Sequence, residues 1–157
     1  MSESIWFVDA LMRIHVTPED TNGAYTLIEA LVPAGHMPPP HVHEHDAESF
    51  IVLEGEITAY TPDDEQVVRP GESAHIPAGT PHTIRATSTG PTRAIIVSAP
   101  AGLATFFRAA GRPAEREALP VLDGPPDVAR LVRAAEQAGM TLLGPPGTLP
   151  ADVVAQA

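Results

Sequence analysis

The chain contains no cysteine, and none of its nine basic residues is lysine. Without cysteine there are no disulfides, thiolate zinc sites, iron–sulfur clusters or cysteine nucleophiles. Without lysine there is no amine to form a Schiff base with a carbonyl substrate or pyridoxal phosphate. Any metal must therefore be held by nitrogen and oxygen. Positive charge is scarce as well: nine arginines face twenty acidic residues, for a net charge of -11. Such a surface repels phosphate backbones and anionic lipids, so neither nucleic acid nor membrane is an expected partner. No stretch approaches the roughly 18 apolar residues of a membrane span. The N-terminal MSESIWFVDALMRIHV also lacks a basic segment followed by a sustained apolar run, and the expected location is cytoplasmic.

What is present is a succession of short apolar or alternating runs, rich in Val, Ile, Thr and aromatics. They predict strands over Ile5–Val8, Leu11–Val16, Ala24–Val32, Ser49–Leu53, Glu56–Tyr60, Gln66–Val68, Ala74–Ile76, Thr83–Thr87 and Thr92–Ala99. Turn formers separate them, including Asn22-Gly23, Glu54-Gly55, Pro70-Gly71 and Gly90-Pro91. The class is all-β, a sandwich or small barrel. After Ala99 the composition shifts to Ala, Pro, Arg and Glu, and the spacing predicts helices over Leu103–Ala110 and Val128–Ala138. In the second helix Val128, Leu131, Val132 and Ala135 form the apolar face, with Pro126-Asp127 at its start and Gly139 at its end. The expected division is a β-barrel over residues 1–100 and a helical extension and tail over 101–157. Within the tail, Pro120–Pro126 and Gly144–Pro150 read as linkers or extended arms.

The chemistry-bearing residues lie in two segments. The first runs Gly35-HMPPP-His41-Val-His43-EHDA-Glu48-SFIVLE-Gly55. His41 and His43 are two apart, so on an extended backbone both imidazoles leave the same face and can meet one ion. Glu48 has the opposite parity, so residues 44–47 must turn before it can aim beside them. Pro38–Pro40 keep the approach to His41 extended. The second segment is Gly71-ESAHI-Pro77-Ala-Gly79-Thr-Pro-His82-TIR-Ala86, in which a turn delivers one more imidazole, His82.

The two spacings, G-x5-H-x-H-x4-E-x6-G and G-x5-P-x-G-x2-H-x3-A, resemble the paired motifs of the cupin superfamily. Fifteen residues, Glu56–Pro70, lie between them. The family's second motif often ends in Asn where this chain has Ala86, a position that is not a ligand. The resemblance spans roughly residues 24–99 and implies a double-stranded β-helix, or jelly-roll barrel. It also implies one internal metal ion ligated by His41, His43, Glu48 and His82. Three imidazoles and a carboxylate accept Ni, Fe, Mn, Co, Cu or Zn. In an octahedral ion this set leaves two positions for a substrate and for water or O2. Glu48, the carboxylate among the ligands, is then also the candidate general base.

His15, His36 and His75 read as surface or satisfied core histidines, and His45 as a solvated loop residue. Glu44 and Asp46 read as solvated rim. Leu27, Phe50, Val52, Ile84 and Ile95 are expected to face inward, as an apolar pocket or as plain barrel core. Phe106 and Phe107 would cover the barrel mouth or pack the helix onto it. The tail, with Phe106-Phe-Arg-Ala-Ala-Gly-Arg-Pro113 and Met140-Thr-Leu-Leu-Gly-Pro-Pro146, resembles small quercetinase-type cupins. That resemblance implies a metal-dependent dioxygenase acting on a flavonol-like or other aromatic or enol substrate. A non-redox polyketide cyclase or isomerase and a binding cupin without turnover stand as alternatives, and family habit implies a homodimer.

Overall fold

A computed structural model of the chain describes residues 2–156. The strands are β1 (Glu3–Phe7), β2 (Ala10–Val16), β3 (Thr26–Val32), β4 (His41–His43), β5 (Ala47–Glu54), β6 (Ile57–Tyr60), β7 (Glu65–Val68), β8 (Ser73–Ile76), β9 (Thr83–Ala86), β10 (Thr92–Ala99), β11 (Arg112–Pro113) and β12 (Met140–Leu142). The helices are α1 (Gly102–Ala110), α2 (Val128–Gln137) and α3 (Pro150–Val154). A seven-stranded sheet in the order β11-β1-β2-β3-β10-β5-β8 faces a three-stranded sheet β7-β6-β9 and the pair β12-β4. Every pairing is antiparallel. The chain is thus an all-β jelly roll with a small helical part.

Alternation along the strands decides which side chains enter the core. In β3 the buried residues are Thr26, Ile28, Ala30 and Val32, and in β10 they are Thr92, Ala94, Ile96 and Ser98. A side-chain period of two then sends Leu27 and Ile95 to the outer face, where Val97 lies opposite Leu27 and Ile51 opposite Ile95. The inward expectation for Leu27 and Ile95 is therefore corrected. Their apolarity hid the register, because the outer face of this sheet is itself partly apolar. Phe50 and Val52 are buried as expected.

The outer face also carries charge pairs. Arg13 lies 2.9 Å from Glu29 and 2.8 Å from Glu117, and the His15 ring is 2.8 Å from Glu29. At the turn between β5 and β6, Gly55 has φ 81°, and a Cβ there would fall 2.5 Å from Thr92 Oγ1. Both the backbone conformation and the space require glycine.

The C-terminal part is bound to the barrel. α1 buries Leu103, Ala104, Phe106 and Phe107, and Phe7 meets both phenylalanines edge-on at 5.3 and 5.0 Å. α2 begins as the sequence predicts, with Asp127 accepting a hydrogen bond from Arg130 N at 3.0 Å. Its buried side differs from the expected one. Ala134 and Ala135 are buried, while Val128 and Val132 are 64% and 39% exposed. The side facing the core is Leu131, Ala134, Ala135 and Ala138, because small residues let the helix approach α1 closely. Beyond α2 the chain supplies β12, and Leu143 N donates to Pro40 O at 2.8 Å. Gly144–Pro150 is no loose arm, since Pro150 is fully buried.

This register is tested by a pair of truncations. Ile28→Ala, at a fully buried position, is expected to cost about 2–5 kcal/mol in urea denaturation, whereas Ile95→Ala on the outer face is expected to cost less than about 1.5 kcal/mol.

Candidate metal centre

Three local devices bring the four side chains together. β4 is too short to be stable alone, and it is held on one side by β12, with Met140 opposite His43 and Leu142 opposite His41. On its other side His41 and His82 form an isolated antiparallel bridge, each backbone N–H donating to the other's carbonyl at 2.9 Å. Residues 44–46 then turn the chain, and Glu48 enters β5 opposite Ile76 and Ser98. The parity change demanded by the sequence is thereby made in the turn.

One donor atom from each of His41, His43, Glu48 and His82 lies within 4.8 Å of all the others. The rings pack against one another, with centroids 4.4 Å apart for His41 and His82 and 5.4 Å for the stacked His43 and His82. His43, Glu48 and His82 are at most 4% exposed.

Hydrogen bonds fix how these groups point. His41 Nδ1 donates to Pro39 O, and His82 Nδ1 donates to Thr80 O, each at 2.9 Å and each to the carbonyl two residues earlier. Both rings are therefore locked with Nε2 turned away from the backbone. His82 Nε2 lies 2.9 Å from Glu48 Oε2. With a carbonyl at one nitrogen and a carboxylate at the other, His82 has acceptors on both sides.

The electrostatics follow from burial and this pairing. For Glu48, burial opposes the charge, but His43 and His82 outweigh it and hold the carboxyl well below the usual range. For His82, burial again opposes the charge, yet the Glu48 hydrogen bond and charge raise its pKa. His41 has no carboxylate in hydrogen-bonding position, so burial and the neighbouring His82 push it down to about 3.

The donor set fits a divalent ion. Among the described residues both ring nitrogens of His43 are buried without a hydrogen-bond partner; its Nε2 is 3.3 Å from Glu48 Oε2 but lacks hydrogen-bond geometry. Unpaired buried nitrogens are costly, and a cation supplies the missing partner. Neutral imidazoles with Nδ1 tied to carbonyls and one carboxylate make a nitrogen and oxygen set suited to first-row ions.

A cavity of about 100 Å³ opens beside the cluster. His41, Glu48 and His82 line it together with Phe7, Met12, Phe50, Ile84, Ile96, Phe106 and Phe107. The two α1 phenylalanines thus pack the helix and wall the cavity at once. Among the described residues that line it there is no arginine.

The other histidines separate clearly. His45 is 77% exposed, His15 sits on Glu29, and the His75 ring meets Ser49 Oγ at 2.8 Å. His36 takes the satisfied-core form of its expected reading, buried with Nδ1 2.7 Å from Asp9 Oδ1, and it also lines the cavity. No spacing pattern could have joined residues that far apart in sequence. Asp46 is corrected, since it is 7% exposed and accepts from Ser98 Oγ at 3.2 Å rather than standing in solvent. The turn after β4 folds it against the start of α1, where a Cβ on Gly102 would fall 2.1 Å from Asp46 Oδ2.

A jelly roll of antiparallel strands with three histidines and a glutamate converging inside it defines a narrow class of protein. Residues 28–98 match the family model described as Cupin domain. Over 112 residues the chain is 34% identical to quercetin 2,3-dioxygenase of Bacillus subtilis (strain 168), a match covering 71% of this chain and 33% of that protein. It therefore spans about a third of that curated relative's length. Among solved structures, the Schizosaccharomyces pombe Cnp3 cupin domain superposes with TM-score 0.54 at 17% identity, covering 63% of this chain and 66% of that one. KdgF from Halomonas sp. gives TM-score 0.52 at 19% identity, covering 59% and 79%. The chain belongs to the cupin superfamily.

Because His82 bridges two acceptors, an ion must displace its Nε2 proton. Titration with Zn²⁺ or Ni²⁺ at pH 7 is expected to release about one proton per ion, read by calorimetry in buffers of different ionisation enthalpy, and affinity is expected to fall as pH is lowered.

Proposed function

We propose that the chain is a metal-dependent oxidoreductase of the dioxygenase type, acting on a flavonol-like or other aromatic or enol substrate and adding both atoms of O2 to it. The observation that carries this reading is the placement of the four-donor cluster at the wall of an aromatic-lined cavity free of arginine. A phosphosugar or small dicarboxylate needs cationic partners that this cavity lacks, whereas a flat, uncharged, hydroxylated molecule suits it. The similarity to quercetin 2,3-dioxygenase supports the same choice.

In this reading His41, His43, Glu48 and His82 hold a divalent transition metal. When bound, that ion supplies Lewis acidity toward a substrate hydroxyl and open positions for two exchangeable ligands. The protein's own residues do the rest. His41 and His82 are kept in one tautomer by Pro39 and Thr80. Glu48, free of the His82 proton once an ion is bound, accepts the substrate's hydroxyl proton at a carboxylate oxygen and leaves an electron-rich oxyanion. Phe7, Phe50, Phe106 and Phe107 exclude water and hold the aromatic body flat. A homodimer belongs to the same reading, supported by Ile51 and Leu53, each 38% exposed on the outer face of β5.

Metal analysis of protein purified without added metal, with oxygen uptake against flavonols, catechols and enediols, tests the proposal. Uptake stoichiometric with substrate loss is expected; turnover without O2 consumption would replace it with Lewis-acid cyclase or isomerase chemistry. His82→Ala or His43→Ala is expected to strip the ion while circular dichroism stays that of the folded barrel. Glu48→Gln is expected to lower kcat by about 10²-fold or more. Unchanged metal content in both histidine variants would refute the ligand assignment.

A further inference from the structure

The cavity has a second polar feature besides the four-donor cluster. His36 lies in the loop between β3 and β4, with its N–H on Pro33 O at 3.1 Å and its carbonyl accepting from Ala86 N at 2.9 Å. Its side chain is 8% exposed, and what it exposes lines the cavity. Nδ1 is taken by Asp9 Oδ1 at 2.7 Å. Among the described residues Nε2 has no hydrogen-bond partner, and it is not among the sealed, unpaired atoms of the interior. It is thus accessible from within a pocket that otherwise offers a ligand almost only carbon.

Asp9 reaches this position through the two-residue turn between β1 and β2, where Val8 adopts φ 53°. That region suits Gly, Asn or Asp, and a β-branched residue there is strained. The turn is therefore held in shape by what it presents. Burial opposes the Asp9 charge, but the His36 hydrogen bond and charge prevail and keep the carboxyl below its usual range. An ionised carboxylate only accepts, so Nδ1 bears the proton shared with Asp9 and Nε2 is the ring nitrogen left for a ligand.

We propose that Asp9 and His36 form a second subsite, in which His36 Nε2 accepts a hydrogen bond from a substrate hydroxyl other than the one presented to Glu48. Asp9 is the positioning residue that sets the tautomer, and His36 is the contact. A hydroxyl is the group of choice, because it can donate to the neutral ring and accept from the charged one. The inference rests on the proposed occupancy of the cavity by a hydroxylated aromatic, and it narrows that class to molecules with at least two separated hydroxyls. It requires no proton transfer and no change in oxidation state.

Phenol and toluene serve as probes, being alike in shape and differing by a hydroxyl in place of a methyl group. In calorimetry with the protein as purified, His36→Phe is expected to weaken phenol binding roughly threefold to tenfold and leave toluene unchanged or tighter. Asp9→Ala is expected to give a smaller loss in the same direction. In the unmodified protein, long-range ¹H–¹⁵N spectra are expected to show His36 protonated at Nδ1, with the Nε2 resonance shifting on addition of phenol and not of toluene. Failure of phenol to bind, equal loss of both probes in His36→Phe, or identical Nε2 responses to the two probes overturns the subsite. None of these readouts depends on metal or O2. A failed oxygen-uptake assay would strike the dioxygenase reading and leave this result standing.

Discussion

The buried carboxylate of Glu48 is the constraint around which the interior is arranged. An ionised carboxylate deep in an apolar barrel is costly unless positive charge or hydrogen bonds meet it. Here the partners are imidazoles, delivered by β4 on one side and by the turn before β9 on the other. His82 is the nearer partner, with Nε2 2.9 Å from Glu48 Oε2, and the same groups are the proposed ligand set for a cation. The interior thus gathers imidazole donors around one buried carboxylate.

That requirement explains why peripheral elements matter to the centre. β4 has only three residues, too few to stand alone, and it depends on β12 from the C-terminal region and on the backbone bridge to His82. α1 closes the same space with two phenylalanines, and α2 adds Leu131 to the wall. The extension after Ala99 therefore takes part in forming the site. Its prolines and glycines and its lack of strand alternation conceal this, because short β pairing is carried by backbone groups rather than by side-chain pattern.

Much of the barrel was legible because its strands are half-buried, and alternation marks such strands strongly. The positions of the candidate ligands were legible for a related reason: His41 and His43 are local, and the turns around Glu48 and His82 are marked by nearby Gly and Pro. Leu27 and Ile95 misled because apolar residues occupy both faces of β3 and β10, although Glu29 and Arg93, each two residues away on the same outer face, mark the register. The face of α2 misled for the opposite reason, since its buried contacts are alanines while its larger valines stay outside. Asp46 and His36 carry polar types normally found at the surface, and only tertiary packing buried them.

Taken by itself, the sequence determined the all-β class, the places of most strands along the chain and the residue types proposed to meet a metal, because those depend on local periodicity, turn chemistry and short spacing. Only the tertiary structure decided the tautomers of His41 and His82, the unpaired nitrogens of His43, the apolar character of the cavity and the pairing of Asp9 with His36. Each of these joins groups distant in the chain through directional hydrogen bonds or shared burial. Composition and periodicity carry no record of such geometry.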